Sequence, residues 1–541
     1  MDSDPSDLSE FLPLCASVPL WFNREPETRN PIPDSRFPTP PLLPSPMTTA
    51  GVSSSFPSKI NVLLIGSGGR EHALAWKLSQ SPRLGKLWLT DASNPGLAAL
   101  GKVVDVPVDI KQIFRLQRFC EKNSIHLVVI GPEEPLAEGY TDALIAPNRV
   151  VFGPIQAAAR LESDKAWCKQ LLRAASIPTA EGRIFTDPEG ARAYVESRIH
   201  DEDTLKALYE EASRYRDPAD RRTFIRRRVE SDKALTAAYT KRHDDLPVIK
   251  ASGLAKGKGV FLPTSLAEAL NIIERVMVKR EFGEAGRTVL IEERLEGREV
   301  SVLALTDGRT IYVLETCQDH KRLGDHDTGP NTGGMGVICP GGLSGGGPEK
   351  DEELLKQIES EILVPTLDAL RRDGIDFRGV LYAGLMLTPA GPKVLEYNCR
   401  FGDPECQALM VRLDSDLIDL LLACGSRHLE DADIRWSHDS AAASCCVVMA
   451  AQGYPNKPVA GAVITGIEDA EKIEGVKVFL AGVKKNEEGK PATAGGRVLN
   501  ITAVGESAAQ ARARAYEAAA KIHFKGAQMR TDIGAEAAVH H

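Results

Sequence analysis

The chain has 541 residues, too many for one ordinary hydrophobic core and enough for three or four domains of about 150 residues each. Hydrophobic residues make up 43% and charged residues 26%, close to the globular average, which excludes a fibrous chain and a wholly disordered one. With 75 acidic against 66 basic side chains the formal charge is −9, which argues against a nucleic-acid partner unless a local basic stripe overcomes it.

The apolar run 441–451 (AAASCCVVMAA) falls far short of the roughly 20 residues that cross a bilayer, so no membrane span is expected. The 10 cysteines include no C-x-x-C pair, and Cys445 and Cys446 lie in an apolar, strand-like run. That usage predicts buried structural thiols in a reducing, cytoplasmic compartment.

Residues 1–58 hold 12 prolines and no sustained period, the pattern of a disordered segment. Asp2, Asp4, Asp7 and Glu10 have the wrong sign for a signal or transit peptide, and Met47 offers an alternative start. From Ile60 the pattern changes to an apolar strand, INVLLI, then Gly66-Ser67-Gly68-Gly69 and a helical stretch over 71–80. Further strands at 86–90, 103–108 and 127–130, with a helix near 110–122, predict an open parallel α/β domain over 59–160 whose ligand sits at the strand ends.

A second unit, 161–435, carries strand-like runs at 246–251, 289–292, 300–305 and 382–387 and two more glycine-rich loops. Inside it, 200–245 is helical in composition, with 11 acidic and 11 basic residues. Such balance marks a solvated face, so this stretch reads as a surface excursion that a short linker could replace. The last unit, 436–541, mixes strands at 445–449 and 498–502 with a helix over 507–522. The fold class expected is multidomain, α/β followed by α+β.

Four constellations carry chemistry. The run Gly66 to Ala73 follows a strand and opens a helix, where backbone N–H groups and the helix dipole favour a phosphate. Glu71 stands where a dinucleotide fingerprint needs its third glycine, which weakens a nicotinamide reading and leaves a plain structural turn as the alternative. Second, Lys250 on a strand leads into a loop with Gly257, Lys258 and Gly259, suited to gripping a polyphosphate. It lacks the spacing of a Walker A loop, and the bland alternative is a surface loop with solvated lysines.

Third, the run from Gln318 through Asp319, His320, Lys321 and Arg322 to Gly336 is too dense in charge and glycine for an ordinary element. A backbone that closely approaches a small substrate accounts for it better than a disordered loop does. Fourth, strand alternation places Glu396, Asn398 and Arg400 on one face. A carboxylate beside an amide oxygen suits Mg²⁺ on nucleotide phosphates, and Arg400 suits a phosphoryl group in transfer; a structural ion-pair network is the alternative.

Taken together, IGSGGREHALAWKL, GPEEPL, IKASGLAKGKGV, QDHKRLGDHDTGPNTGGMG, FRGVLYAGLM and LEYNCRFGDPE resemble the phosphoribosylamine–glycine ligases, glycinamide ribonucleotide synthetases of the ATP-grasp superfamily. The resemblance runs from about Lys59 almost to the C-terminus. It implies a Rossmann-like N-terminal domain, a central ATP-grasp unit and a small C-terminal α+β domain. It implies too that ATP, glycine and 5-phosphoribosylamine are joined through glycyl phosphate with Mg²⁺ or Mn²⁺; a monomer is expected, cytoplasmic by its cysteine usage and, by its charge and lack of an apolar span, with no nucleic-acid or membrane partner.

By the same resemblance, Lys250 and Lys258 contact ATP phosphates with Gly257 and Gly259. Glu292, Glu293 and Leu295 lie at the adenine hinge, Glu299 faces the ribose, and Glu396 and Asn398 hold the metal. The sugar phosphate sits near Gly68, Gly69, Arg70 and Glu71, with Asn94, Pro95, Gly96, Gly131, Pro132 and Glu133 completing its pocket. Glycine lies near Asp319, Lys321, Arg322 and Asn331, and Asp319, Lys321 and Arg400 are the expected catalytic groups. The proline-rich head and 200–245 depart from the family pattern, and no fused downstream activity is expected. The competing readings are another ATP-grasp ligase or carboxylase of purine metabolism, a nicotinamide oxidoreductase and an inactive ATP-binding scaffold.

Overall fold

The structure, a computed structural model, describes residues 56–535 apart from 199–202, 242–245, 256, 346 and 438–441. The expectation of disorder over 1–58 therefore falls almost wholly outside the described residues, as do both ends of 200–245.

The apolar run Ile60–Ile65 forms β1, buried on both faces as a central parallel strand must be. It is flanked by β2 (Leu84–Leu89), β3 (Lys102–Val103), β4 (Ile125–Ile130) and β5 (Val150–Phe152) in the parallel order β3-β2-β1-β4-β5. The order reverses between β1 and β4, so the loops after these two strands open a crevice at the carboxyl edge of the sheet. The strand expected over 103–108 shrinks to the two residues of β3, on an edge where Pro107 has no N–H to pair.

Two antiparallel sheets form the central region. The smaller contains β6 (Gly182–Phe185), β7 (Val248–Ala251), β8 (Val260–Phe261) and β9 (Val289–Glu292), ordered β6-β9-β7-β8. The larger contains β10 (Arg298–Thr306), β11 (Ile311–Val313), β16 (Gly379–Thr388) and β17 (Gly391–Asn398), ordered β11-β10-β16-β17. The two sheets meet where the Lys250 amine on β7 donates to the Leu395 carbonyl on β17 at 3.0 Å.

Helices Asp203–Ala212, Pro218–Ser231 and Lys233–Thr240 occupy the charged stretch. They differ from a solvated excursion on their inner side. Leu205, Leu208, Ile225, Leu235 and Tyr239 are buried in one core with Ile249, Leu266 and Ile272 of the smaller sheet and its covering helix. The Tyr209 and Tyr239 hydroxyls bond to each other at 2.6 Å, and burial pushes the adjoining Glu196 carboxyl up to about 7. Charge balance could not reveal this, because the apolar stripe is carried by only a few positions per helix.

The last sheet is assembled from distant parts of the chain. It contains β12 (Gln318–Asp319), β15 (Gly336–Cys339), β18 (Ala443–Ala450), β19 (Val476–Leu480) and β22 (Arg497–Gly505), ordered β12-β15-β18-β22-β19. The hairpin of β13 (Arg322–Gly324) and β14 (Thr328–Asn331) projects from it between β12 and β15. A second hairpin pairs β20 (Val483–Lys485) with β21 (Pro491–Thr493). The glycine-rich run is thus carried by the sheet of the C-terminal region. Nine free cysteines are buried among the described residues, and no helix there is long and apolar enough to cross a membrane.

Candidate active site

The loop after β1 is braced from below. Gly68 N–H donates to Glu71 Oε2 at 2.6 Å, and the other Glu71 oxygen binds Arg70 Nε at 2.7 Å. At Gly66, whose φ is +117°, a Cβ would come within 2.7 Å of the Glu71 side chain, so only glycine lets the loop fold over the carboxylate. Glu71 is 2% exposed and acts as the floor of the loop rather than its lining.

Above that floor lies a cavity of about 320 Å³, lined by Ser67, Gly68, Gly69, Asn94, Lys484 and Arg497 among others. Three regions meet in it: the first glycine loop, the β20 hairpin and Asp403 beyond β17. Asn94 caps the short helix Pro95–Ala98 by accepting from Gly96 N–H, and its amide donates to the Leu480 carbonyl at 2.7 Å. The Arg497 guanidinium bonds the Gly333 carbonyl at 2.6 Å and pairs with Asp403 at 3.5 Å, which holds the Asp403 carboxyl below its usual range against its own burial.

At the centre, Arg400 follows β17 and gathers Asn398 Oδ1 at 3.1 Å, Glu162 at 2.9 Å and Glu133 at 3.6 Å. Burial would lower the pKa of this guanidinium, but Glu162 and Glu133 outweigh it and raise it above the ordinary value. Glu133, at the start of helix Glu133–Ala137 after Gly131 and Pro132, stays ionised because Arg400 and Arg70 overcome its burial. Arg400 Nε is buried with no hydrogen-bond partner.

Across the cleft, Glu292 is 2% exposed, with Lys250 at 2.6 Å and Lys169 also paired to it. Burial opposes its ionisation, yet the two lysines keep its carboxyl below the usual range. Lys169 is spent on Thr179 and Ala180 as well, whereas Lys250 has one N–H left for a ligand. Lys165, at the start of helix Lys165–Ala174, is held below the ordinary lysine range by burial and by Lys250, against the pull of Glu396. Gly257 and Lys258 are exposed at the tip of the β7–β8 loop and Gly259 is buried at its base.

On the floor near β12, Asp319 pairs with Lys321 at 3.1 Å while its Oδ1 has no hydrogen-bond partner although buried. Burial raises the Asp319 carboxyl despite Lys321, and burial together with Asp319 raises Glu405, which accepts from the Tyr382 hydroxyl at 2.6 Å. At Gly334, φ is +110° and a Cβ would meet Asp319 Oδ1 at 2.7 Å, so the backbone can reach the carboxylate only as glycine.

The structure therefore brings together Lys250, Glu396, Asn398, Arg400, Asp319, Lys321, Glu133 and Arg70. It does not draw Arg322 and Asn331 into that cluster. They face each other at the base of the β13–β14 hairpin, where the Arg322 guanidinium donates to Gly329. Glu293 is tied to Glu181 N–H at 2.9 Å, Leu295 is half-buried, and Glu299 is exposed near the start of β10. Sequence reasoning missed Glu162, Lys165, Tyr382, Asp403, Glu405 and Arg497. Asp403 and Glu405 stood in a quoted run, but Lys165 and Arg497 have no local motif, and only the fold finds them.

Glu396 and Asn398 fit a hard divalent cation. Both offer oxygen, and the Asn398 oxygen keeps a lone pair after accepting from Arg400. No group of three or more His, Cys, Asp or Glu converges on a metal site among the described residues. The remaining oxygens would come from a nucleotide and water, the usual Mg²⁺ arrangement.

Comparison with known proteins agrees with this geometry. Phosphoribosylglycinamide synthetase families match in three parts: the N domain over residues 60–162, the ATP-grasp (A) domain over 222–406 and the C domain over 444–536. A phosphoribosylamine–glycine ligase of Rhodopirellula baltica is 44% identical over 483 residues, covering 89% of this chain and 99% of that one. A protein of the same name from a Nostoc species is 41% identical over 478 residues, 88% of this chain and 99% of that one. The crystal structure of phosphoribosylamine–glycine ligase from Thermotoga maritima superposes with a TM-score of 0.64 at 29% identity, covering 88% of this chain and all of that one. With its parallel N-terminal sheet, its ATP-grasp domain and near full-length identity to such relatives, the chain belongs to the phosphoribosylamine–glycine ligase family.

Proposed function

We propose that this protein joins glycine to 5-phosphoribosylamine, cleaving ATP to ADP and phosphate, as a step of purine biosynthesis. The observation that carries the reading is the buried Asp319 Oδ1, left without a hydrogen-bond partner in the cluster that holds Lys321, Lys250 and Arg400. Asp319 Oδ1 suits the ammonium of an amino acid, and the Arg400 guanidinium suits an anionic oxygen.

The carboxylate of glycine resists an amine because oxide is a poor leaving group. Its oxygen attacks the γ-phosphorus of ATP, the bond to ADP breaks, and glycyl phosphate forms. The amine of phosphoribosylamine then attacks the acyl carbon, phosphate leaves with the C–O bond pair, and the nitrogen loses a proton to give the amide. Lys165 and Lys250 neutralise phosphate oxygens, with Lys258 brought in by the β7–β8 loop, and Arg400 stabilises the group in transfer. Glu396 and Asn398 would hold Mg²⁺ or Mn²⁺, which supplies further charge neutralisation on the phosphates.

The sugar phosphate enters the cavity at the N-terminus of helix Gly69–Ser79, where free N–H groups meet Arg497 and Lys484. Closure of the β7–β8 loop excludes water from the acyl phosphate. The buried free thiols support a cytoplasmic setting. Adenine lies at Glu293 and Leu295 with the ribose toward Glu299, as the family resemblance implies, while Glu292, expected at the same hinge, is committed to Lys250 and Lys169.

The test is ADP release by purified protein with Mg²⁺–ATP, glycine and freshly generated phosphoribosylamine. Omitting glycine should nearly abolish release, and alanine should be a poor substitute. Release that ignores glycine but requires bicarbonate or formate would transfer the protein to another ATP-grasp reaction.

A further inference from the structure

The hairpin β13–β14 turns through Asp325-His326-Asp327, and both His326 (φ +53°) and Asp327 (φ +52°) are left-handed without being glycine. Such a backbone persists only where its surroundings hold it. The holder is a short run near the C-terminus. Thr531 donates to Asp325 twice, from its N–H at 2.7 Å and its hydroxyl at 2.5 Å. Arg530 donates to Asp327 at 2.6 Å and to the Arg322 carbonyl at 3.3 Å. Asp532 accepts the His326 N–H at 2.8 Å and binds Arg530 through both oxygens at 2.7 Å.

This clamp is itself anchored. The Arg530 side chain is 2% exposed although Asp327 opposite it is 71% exposed, so the guanidinium is built into the protein and reaches outward to the loop. The Tyr516 hydroxyl donates to the Arg530 carbonyl and accepts the Ile533 N–H, both at 3.0 Å. Ile533 is fully buried and packs against Gly336, the first residue of β15.

At the other end of the hairpin lies the amino-acid site. Thr332 bonds the Lys321 carbonyl through its N–H at 2.8 Å and its hydroxyl at 2.9 Å. That hydroxyl also accepts from Gly334 N–H at 3.0 Å. The hairpin base therefore fixes Lys321, Gly333 and Gly334 around the unpartnered Asp319 oxygen.

We infer that Arg530, Thr531 and Asp532 are positioning residues for the amino-acid substrate: by clamping the hairpin tip they set the Lys321 and Gly333-Gly334 backbone against Asp319. The inference rests on the ligase reading above. None of the three touches the site, so their effect passes through the hairpin and falls on glycine rather than on ATP.

The experiment measures KM for glycine and for ATP separately, with melting temperatures, in full-length Thr531→Val, Thr531→Ser and Arg530→Lys. Thr531→Val replaces a hydroxyl by a methyl and removes one bond to Asp325. It should raise the glycine KM about five-fold, the effect of one net hydrogen bond, with the ATP KM and melting temperature near wild type. Thr531→Ser should restore the wild-type value. Arg530→Lys loses the two-pronged grip on Asp532 and should raise the glycine KM further. If it fails to fold, Thr531→Val still decides. An unchanged glycine KM in Thr531→Val, or an equal rise for ATP, overturns the clamp. Wild-type ADP release that ignores glycine overturns the ligase reading instead, and the clamp's role with it.

Discussion

Leu480 N–H donates to Nδ1 of His72 at 2.9 Å, tying the helix after the first glycine loop to the edge strand β19 of the C-terminal sheet. The bond requires neutral imidazole. Burial, then Lys477, lowers the His72 pKa to about 4. The unfolded chain takes up a proton near 6.5, so stability is full above that pH and is lost as pH falls from 6.5 toward 4. The full effect is on the order of 3 kcal/mol. His72→Asn keeps an acceptor without a titrating group, and its melting temperature should fall less than wild type between pH 7 and pH 5. Parallel curves for the two proteins would refute the assignment.

Arg497 links the cavity proposed for the sugar phosphate to the Gly333 carbonyl and to Asp403. Arg497→Ala should raise the KM for phosphoribosylamine by about 10- to 100-fold, the range of one lost charged hydrogen bond, and Arg497→Lys should recover part of it. Steady-state kinetics with phosphoribosylamine generated in situ measures both. An unchanged KM would place the sugar phosphate elsewhere.

For the cation pair, Glu396→Gln should leave the fold intact and raise the Mg²⁺ concentration for half-maximal turnover by about ten-fold or more. Magnesium titrations at fixed ATP, alongside circular dichroism, separate this from unfolding. The same Mg²⁺ dependence in both proteins would assign the metal to other oxygens.

The insertion should prove structural. Helix Lys233–Thr240 packs on helix Leu266–Ile273, and Leu208 is 3% exposed within the shared core. Leu208→Ala should destabilise by about 2–5 kcal/mol, and replacing 200–245 with a Gly/Ser linker should lower the melting temperature or cause aggregation. A linker variant that melts like wild type would restore the picture of a solvated excursion.

Much of the site was legible because its chemistry is written in consecutive residues. Strand, glycine turn and helix from Ile60 to Ser79 follow from local periodicity, and the pleat puts Glu396 and Asn398 together on the more open face of β17, with Arg400 just past its end. The role of Glu71 was not legible. Its position suggested a ligand contact, whereas the packing of Gly66 against its side chain makes it a buried brace.

By itself, the sequence determined the parallel N-terminal domain, the glycine loops, the shared strand face of Glu396 and Asn398 and the family, since each is encoded within a short span by backbone preference and side-chain alternation. Only the tertiary structure decided that β12 and β15 belong to the sheet of β18 and β22, that Arg497 meets Gly333 from 164 positions away, and that Arg530 holds a loop 203 positions earlier. The reason is physical. Those partners carry no local signal, because hydrogen bonds and buried charges across such separations form only once the hydrophobic cores have brought the chain together.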